Sequence, residues 1–579
     1  VFSKYYLSEL TYLRDLGKEF AAANPSLTAM FAERGGDPDV ERLLEGFAFL
    51  SARTRERIDD AVPEFIDALC SLAIPQFVQP TPAATIIEFT PSSTALRSRQ
   101  RIPAGTELGS KPVDGSPCFF RTTGPVDLLP LTISGTQLDT SREASPALRI
   151  SFRTQDVSHA AALEEGLRLY VNGPWALASM ITYWIARHLE RIEYRSKNGE
   201  VRMIAPKHAR VASLDGNDRM LPWPDNAPNE MRLLQELFTL PQRMLFVHLD
   251  GFKEANLTPT SEFEVTLHFK KPPMLSDRVE KDLFRLHCVP AVNRFSVGAD
   301  PISKDARIHE YLVRAAGFQP RHAEVADVRS VTGIRQKGAR LEYTPFFSFL
   351  HALRPPEDQA YFVLRRTHSP LDNAYDTYLS VLSPRGGAAM TDDEVLSIEL
   401  DCTNRQLPAQ LRVGDVNVAL PRSPSIAKFT NISQVSKPVR SQLGSDLHWR
   451  LVAHLALNQR SLSNPELLRS LLSLYNFQQE ADQQAGRANK MRIDSIRSIE
   501  LKSSKAIVER VPTRGLQSLI ELDETGFASL GDMFLFASAL DAFFGNQSPI
   551  NTFHRLKVRA HPSNEEISWP ARTGLGPIF

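Results

Sequence analysis

Apolar residues recur every three to four positions at the start of the chain. Tyr6, Leu10, Leu13, Gly17 and Phe20 fall on one face of a helix that Asn24-Pro25 ends. Asp37-Pro38 then suits a helix start, with Asp37 as cap and Pro38 where no amide partner is needed. Val40, Leu43, Leu44, Phe47, Leu50 and Ile58 form a broad stripe along this second helix. Pro63 is expected to close it, and a shorter helix through Phe65, Ile66, Leu69 and Cys70 runs to Pro75. Residues 1–79 therefore predict a helical hairpin. Two amphipathic helices can satisfy each other or await partner chains, and spacing alone leaves both readings open.

At Pro80-Thr81-Pro82 the pattern changes to alternation. Ile86 to Phe89, Phe119 to Arg121 and Met244 to Leu249 read as strands, and Leu167 to Val171 alternates up to an Asn172-Gly173 turn. Phe263 to Phe269 alternates strictly, which predicts one wet face. A helix from about Trp175 to Leu189 interrupts the strands, which resume at Ile192 to Tyr194. Between 290 and 440 the chain stays β-rich, with Tyr361 to Leu364, Tyr378 to Leu382 and Val395 to Leu400 as strands. Leu447 to Leu457 is apolar around its whole circumference, the mark of a buried helix. Leu467 to Leu474 is another helix, Gln478 to Asn489 reads as an exposed polar connector, and the end mixes a strand at Leu519 to Leu522 with a buried helix at Met533 to Phe544. The expected class is α+β and multi-domain: a helical segment 1–79, β-rich units 80–289 (with an inserted helix) and 290–440, and a mixed unit 441–579.

Charge narrows the function. Lys+Arg and Asp+Glu are both 67 in 579 residues, so bulk charge provides no attraction to nucleic acid or to an anionic membrane. Cys70, Cys118, Cys288 and Cys402 form no close pair, which argues against a zinc knuckle, a redox motif or a disulfide framework. The first residues lack a basic region followed by an apolar stretch, and Met533 to Phe544 is too short to span a bilayer. A cytoplasmic protein without membrane insertion is expected.

Candidate chemistry is sparse, and no cofactor or metal site is expected. Gly333 to Gly338 has the glycine spacing of a phosphate loop, but Ala339-Arg340 stands where Lys and Ser/Thr are required, so a hairpin turn is the better reading. His448 and His454 lie six apart, off any shared helical face. Asp392-Asp393-Glu394 reads as a solvated loop leading into a strand. Cys402 to Pro408 follows a strand and resembles a nucleophile loop, but only Arg405 is near to activate the thiol, which favours a buried cysteine with Thr403 and Asn404 shaping the turn.

Ordered blocks along the chain resemble the TssF family, baseplate subunits of the bacterial type VI secretion system. They are Tyr5-Tyr6 with Glu9-Leu10 and Tyr12-Leu13-Arg14; Asp37-Pro38 with Val40 to Leu50; Cys118 to Thr122; Leu167 to Val171; Phe238-Thr239 with Pro241; Tyr343 with Pro345-Phe346-Phe347; Cys402 to Arg405; Trp449 to Asn458; and Asn551 with Phe553. Gln406 stands where an acidic residue is expected. The resemblance implies a fold similar to the wedge proteins of contractile phage-tail baseplates, and assembly rather than catalysis. Two TssF copies would join one TssG as a wedge core carrying TssK and TssE. Six wedges would surround the VgrG spike hub, docked on the inner-membrane complex through other subunits. Tyr6, Leu10, Leu13, Phe20, Val40, Leu43, Leu44 and Phe47 are then the first candidates for a partner interface. Two copies in unlike surroundings would need a joint that takes two shapes, with 478–489 and the prolines near Pro80 and Pro290 as candidates. Set against assembly stand a β-domain protein with an aromatic-lined ligand pocket and an enzyme with converging titratable groups.

Overall fold

The computed structural model describes residues 2–23, 38–92, 96, 98–139, 146–154, 163–214, 218–223, 231–255, 260–271, 279–305, 307–335, 339–346, 360–369, 374–382, 394–441, 461–508 and 511–574. The expected helix 447–457 lies outside them. The chain divides into two compact units, the break falling after Val78 and so beside Pro80. The described part of the first unit is helical: Phe2–Ala23, Pro38–Ala73 and a short turn, Pro75–Val78. Pro63 does not close the second helix, which runs for 36 residues, about 54 Å. An internal proline forfeits one backbone bond, a loss that a helix of this length absorbs.

The second unit covers Gln79–Ser441 and Val452–Phe579 and is built on antiparallel and mixed sheets. One five-stranded sheet runs in the order Ala427–Asn431, Ala84–Pro91, Cys288–Val292, Phe119–Thr122 and Glu107–Gly109. Ile86 faces Pro290 and Ile87 faces Asn431, so strands distant in sequence close one core around Ile87, Phe89, Leu108, Phe120 and Val289. The strand Cys288–Val292 crosses the boundary drawn at 289/290. Pro290 is therefore not a joint: it sits inside a paired strand, and its carbonyl accepts the Thr123 amide at 3.0 Å.

An eight-stranded sheet follows, with Glu394–Thr403 and Glu324–Arg335 as its longest pair and a core of Val331, Leu379, Leu396, Leu400 and Cys402. The segment with phosphate-loop spacing connects Glu324–Arg335 to Arg340–Pro345, an antiparallel hairpin, as the glycine pattern without its lysine suggested. In a third sheet, Glu262–Phe269 buries Phe263, Val265, Leu267 and Phe269 and leaves Glu262, Glu264 and His268 partly exposed, as strict alternation predicts, although Thr266 on that same face is buried.

The C-terminal part joins this same unit through the helix Leu530–Gln547, the crossover between the parallel strands Val511–Asp523 and Phe553–His561. It is apolar on all sides because it is enclosed on all sides, lying against the helix Trp175–Arg187 at its start. The approach is close: a Cβ on Gly531 would stand 2.2 Å from the Ser179 carbonyl, so only glycine fits. Ser529 caps the helix by accepting the Asp532 amide, and its hydroxyl meets that of Ser179 at 2.9 Å.

The polar stretch 478–489 is exposed at half of its positions, but it is helical and anchored at three buried residues rather than a loose connector. It forms the helix Gln478–Ala481 and the start of Gln483–Asp494, the latter capped by Asp482. Asn489 is buried and donates to the Phe238 carbonyl at 3.0 Å and to Asn476 at 3.1 Å, while Gln478 donates to the Lys437 carbonyl. Amide side chains belong in a core when carbonyls from elsewhere meet them.

Candidate functional site

The N-terminal hairpin sorts the candidate interface residues by face. Leu10 is 7% exposed, and Gly17, Ala48 and Ala52 are buried, forming a thin seam where the two helices meet. Leu44 is partly buried, one turn before Ala48 on the inner row Leu44, Ala48 and Ala52, and Tyr6 and Leu13 are likewise partly buried. Leu43, Phe47 and Leu50 are 73%, 61% and 65% exposed, at the i, i+4, i+7 spacing of a single outer stripe. On the first helix Tyr12, Leu16 and Phe20 are exposed at four-residue intervals. Nothing is described of the Val40 side chain. The expected stripes thus divide: one row packs the hairpin, and a second row on each helix is exposed. Polar contact adds little, since the Arg55–Glu9 pair at 2.6 Å and the Arg14–Glu41 pair lie at an exposed rim.

The Cys402 to Pro408 segment is a structural hub, as the buried-cysteine reading has it. Burial pushes the Cys402 thiol up to about 12, far from a thiolate at neutral pH. Asn404 Oδ1 accepts from the Phe119 amide and from Asn293 Nδ2, each at 2.8 Å. Its own amide donates to Asn293 Oδ1 at 2.8 Å, and its Nδ2 donates to the His322 carbonyl at 3.1 Å. Arg405 adopts φ 50° and donates from Nε to the Ala323 carbonyl at 3.0 Å. This one turn ties the five-stranded and eight-stranded sheets together. Gln406 is exposed, its Nε2 at 3.5 Å from the Pro438 carbonyl.

The other buried ionisable groups are each engaged where they stand. Glu394, the one described member of the acidic triplet, is fully buried between Lys304 at 3.4 Å and the Tyr343 hydroxyl at 2.9 Å. His448, His454, Asp392 and Asp393 lie outside the described residues. Among those described, no group of three or more His, Cys, Asp or Glu is placed to hold a metal. Burial lowers His287 from 6.5 to about 4, with its Nε2 accepting the Leu129 amide at 3.0 Å. Burial also lowers His554 to about 4, beside the Ser518 hydroxyl at 2.7 Å. Asp541, on the enclosed C-terminal helix, is raised to about 6 by burial despite its pairing with Arg572.

These shifts have opposite signs in stability. Between pH 6.5 and about 4 the unfolded chain protonates its histidines and the folded chain does not, so each histidine costs up to about 3 kcal/mol as the pH falls through that window. Asp541 takes its proton first in the folded chain, so acidification from about 6 to 3.8 favours folding there. Two histidines against one aspartate leave a net loss. The thermal midpoint is expected to fall from pH 7 to pH 4.5, with a shallower slope in His554→Gln and a steeper one in Asp541→Asn. A calorimetric pH series that gives three parallel curves contradicts this assignment.

Residues 1–576 match the family model "Type VI secretion system, TssF". This chain belongs to the TssF family. The type VI secretion system component TssF1 of Pseudomonas aeruginosa is 28% identical, with 99% of each chain covered. The fold is similar to a chain of the type VI secretion system TssK–TssF–TssG baseplate subcomplex solved by cryo-electron microscopy, with TM-score 0.79, 28% identity and coverage of 92% of this chain and 98% of that one. It is also similar to a chain of the baseplate complex from the type VI secretion system, with TM-score 0.62, 25% identity and full coverage of both. The α+β, multi-domain organisation is thus the TssF organisation. No helix among the described residues is long and apolar enough to cross a membrane.

Proposed function

We infer that this chain is a structural subunit of the type VI secretion baseplate, acting through assembly and without catalysis. The observation that carries the reading is end-to-end correspondence: family match, relative and solved baseplate chain all span nearly the whole sequence. In this reading two copies join one TssG as a wedge core, TssK and TssE attach to it, and six wedges surround the VgrG spike hub. The assembly sits in the cytoplasm, docked on the inner-membrane complex through other subunits, and templates the contractile sheath and tube for effector delivery. The hairpin supplies the contact with partner helices. Leu43, Phe47 and Phe20 offer exposed apolar surface, while Leu10, Leu13, Leu44 and Tyr6 hold the two helices in register behind it. Val40 belongs to the same segment.

The test is the solution mass of this chain co-expressed with the TssG-family and TssK-family proteins of the same system. A stable particle with two copies of this chain per TssG is the expected result. A monomer that ignores both partners overturns the reading.

A further inference from the structure

In the second unit a shallow cleft of about 290 Å³ is lined by Arg121, Arg219, Arg294 and Arg329, with Asp401 as its one acid. Trp223, Leu221, Met220 and Val292 supply its apolar wall. Its charges are unevenly spoken for. Asp401 is held by Arg294 at 2.6 Å and more loosely by Arg329 at 3.4 Å. Arg121 pairs with Glu107 at 3.1 Å, a carboxylate that Arg422 also approaches. Arg219 is exposed and has no carboxylate partner among the described residues, and Arg329 is half exposed. The rim is anchored from below: buried Glu236 accepts the amides of Met220 and Leu221 at 2.8 and 3.1 Å, and is itself paired with Arg243 at 2.6 Å.

We propose that this cleft binds an acidic peptide segment of a partner protein, a glutamate or aspartate side chain flanked by an apolar one. Among the described residues the arginines outnumber the acids that hold them, so an incoming carboxylate meets guanidinium groups that these acids do not compensate. Arginine rather than lysine is the fit for a carboxylate, because its fork of donors takes both oxygens. The volume is at the low end for a small-molecule site and suits one or two side chains rather than a whole metabolite. The indole and leucine wall gives the neighbouring apolar side chain a place to bury. This surface is separate in sequence from the hairpin, and the proposal does not rest on the assembly reading.

The probe is the capped peptide Ac-Glu-Leu-Glu-Leu-Glu-NH2 titrated into the full chain, read by tryptophan fluorescence, with Trp223→Phe locating the signal. The glutamine version is expected to bind at least tenfold more weakly. Arg219→Ala removes an exposed side chain that has no carboxylate partner among the described residues, so it should leave circular dichroism unchanged while weakening the acidic peptide about tenfold; Arg219→Lys should recover part of the loss. Equal binding of the acidic and glutamine peptides, or an Arg219→Ala variant that binds like the parent, overturns the proposal. So does inorganic phosphate that competes as well as the peptide while a glycine-for-leucine peptide binds undiminished, which would make the cleft a general anion site.

Discussion

Replacing Asn404 by alanine is expected to cost about 5 kcal/mol of folding stability, a far larger loss than a polar turn residue ordinarily carries. The reason is the number of groups left without partners in a dry place. Asn404 is fully buried, and removing its amide orphans the Phe119 N–H, one hydrogen of Asn293 Nδ2 and the His322 carbonyl. Each such group costs about 1–3 kcal/mol when no water can reach it. Asn404→Asp is expected to be as damaging, because it keeps the acceptor but loses the donor to His322 and buries a charge. Gln406→Ala, two residues away and exposed, serves as the control and should change stability by less than about 0.5 kcal/mol. Chemical denaturation of the three variants beside the parent measures this. A loss under about 1 kcal/mol for Asn404→Ala would show that the two sheets do not depend on this turn.

Asn404 also marks where reading the sequence stops. Cys402 at a strand end, with Thr403 and Asn404 in a turn, is legible from residue type and alternation. That the asparagine bridges two sheets is not, because Phe119, Asn293 and His322 lie far off along the chain. Periodicity reports which face of an element is buried, and it places the apolar face correctly in Glu262–Phe269. It fails where polar side chains are buried among remote carbonyls. The 478–489 stretch carries glutamine, asparagine and arginine and does expose one side, although Asn489 is a core residue and so is Arg492 one turn further on, paired with Asp532 at 2.9 Å. Strand partnership is equally hidden: Ala84–Pro91 pairs with Ala427–Asn431 across some of the longest separations in the chain, so boundaries drawn from local texture at 290 cut through a sheet. The paired strands Ile496–Val508 and Val511–Asp523 were visible only at Leu519 to Leu522, because their outer halves have no buried face to impose alternation.

The hairpin is the opposite case, where the sequence signal is strong and its meaning is divided. Helical spacing places Leu43 and Leu44 side by side in the pattern, yet they lie about 100° apart around the axis. Leu44 continues through Ala48 and Ala52 into the seam, and Leu43 continues through Phe47 and Leu50 into solvent. The seam, with Leu10 and the partly buried Leu44 as large side chains beside two alanines and a glycine, buries modest area, whereas the outer stripe offers three large exposed side chains whose burial would stabilise an interface by about 1.5–3 kcal/mol each. That asymmetry gives a clean separation of folding from assembly. Leu43→Asp with Phe47→Asp is expected to leave the helical content of the isolated chain unchanged, since neither residue is in the seam. The same pair is expected to weaken binding to the TssG-family partner by a factor of about 1,000 or more, because it removes two anchors and introduces two charges into the contact. Ala48→Leu is the converse test: it overfills the seam, should lower the helical signal of the free chain, and should weaken assembly only as far as the hairpin itself loosens. Titration of each variant against the partner, with circular dichroism on the free chain, distinguishes the two. A double aspartate variant that assembles like the parent would place the partner contact elsewhere on the molecule and leave the outer stripe without a role.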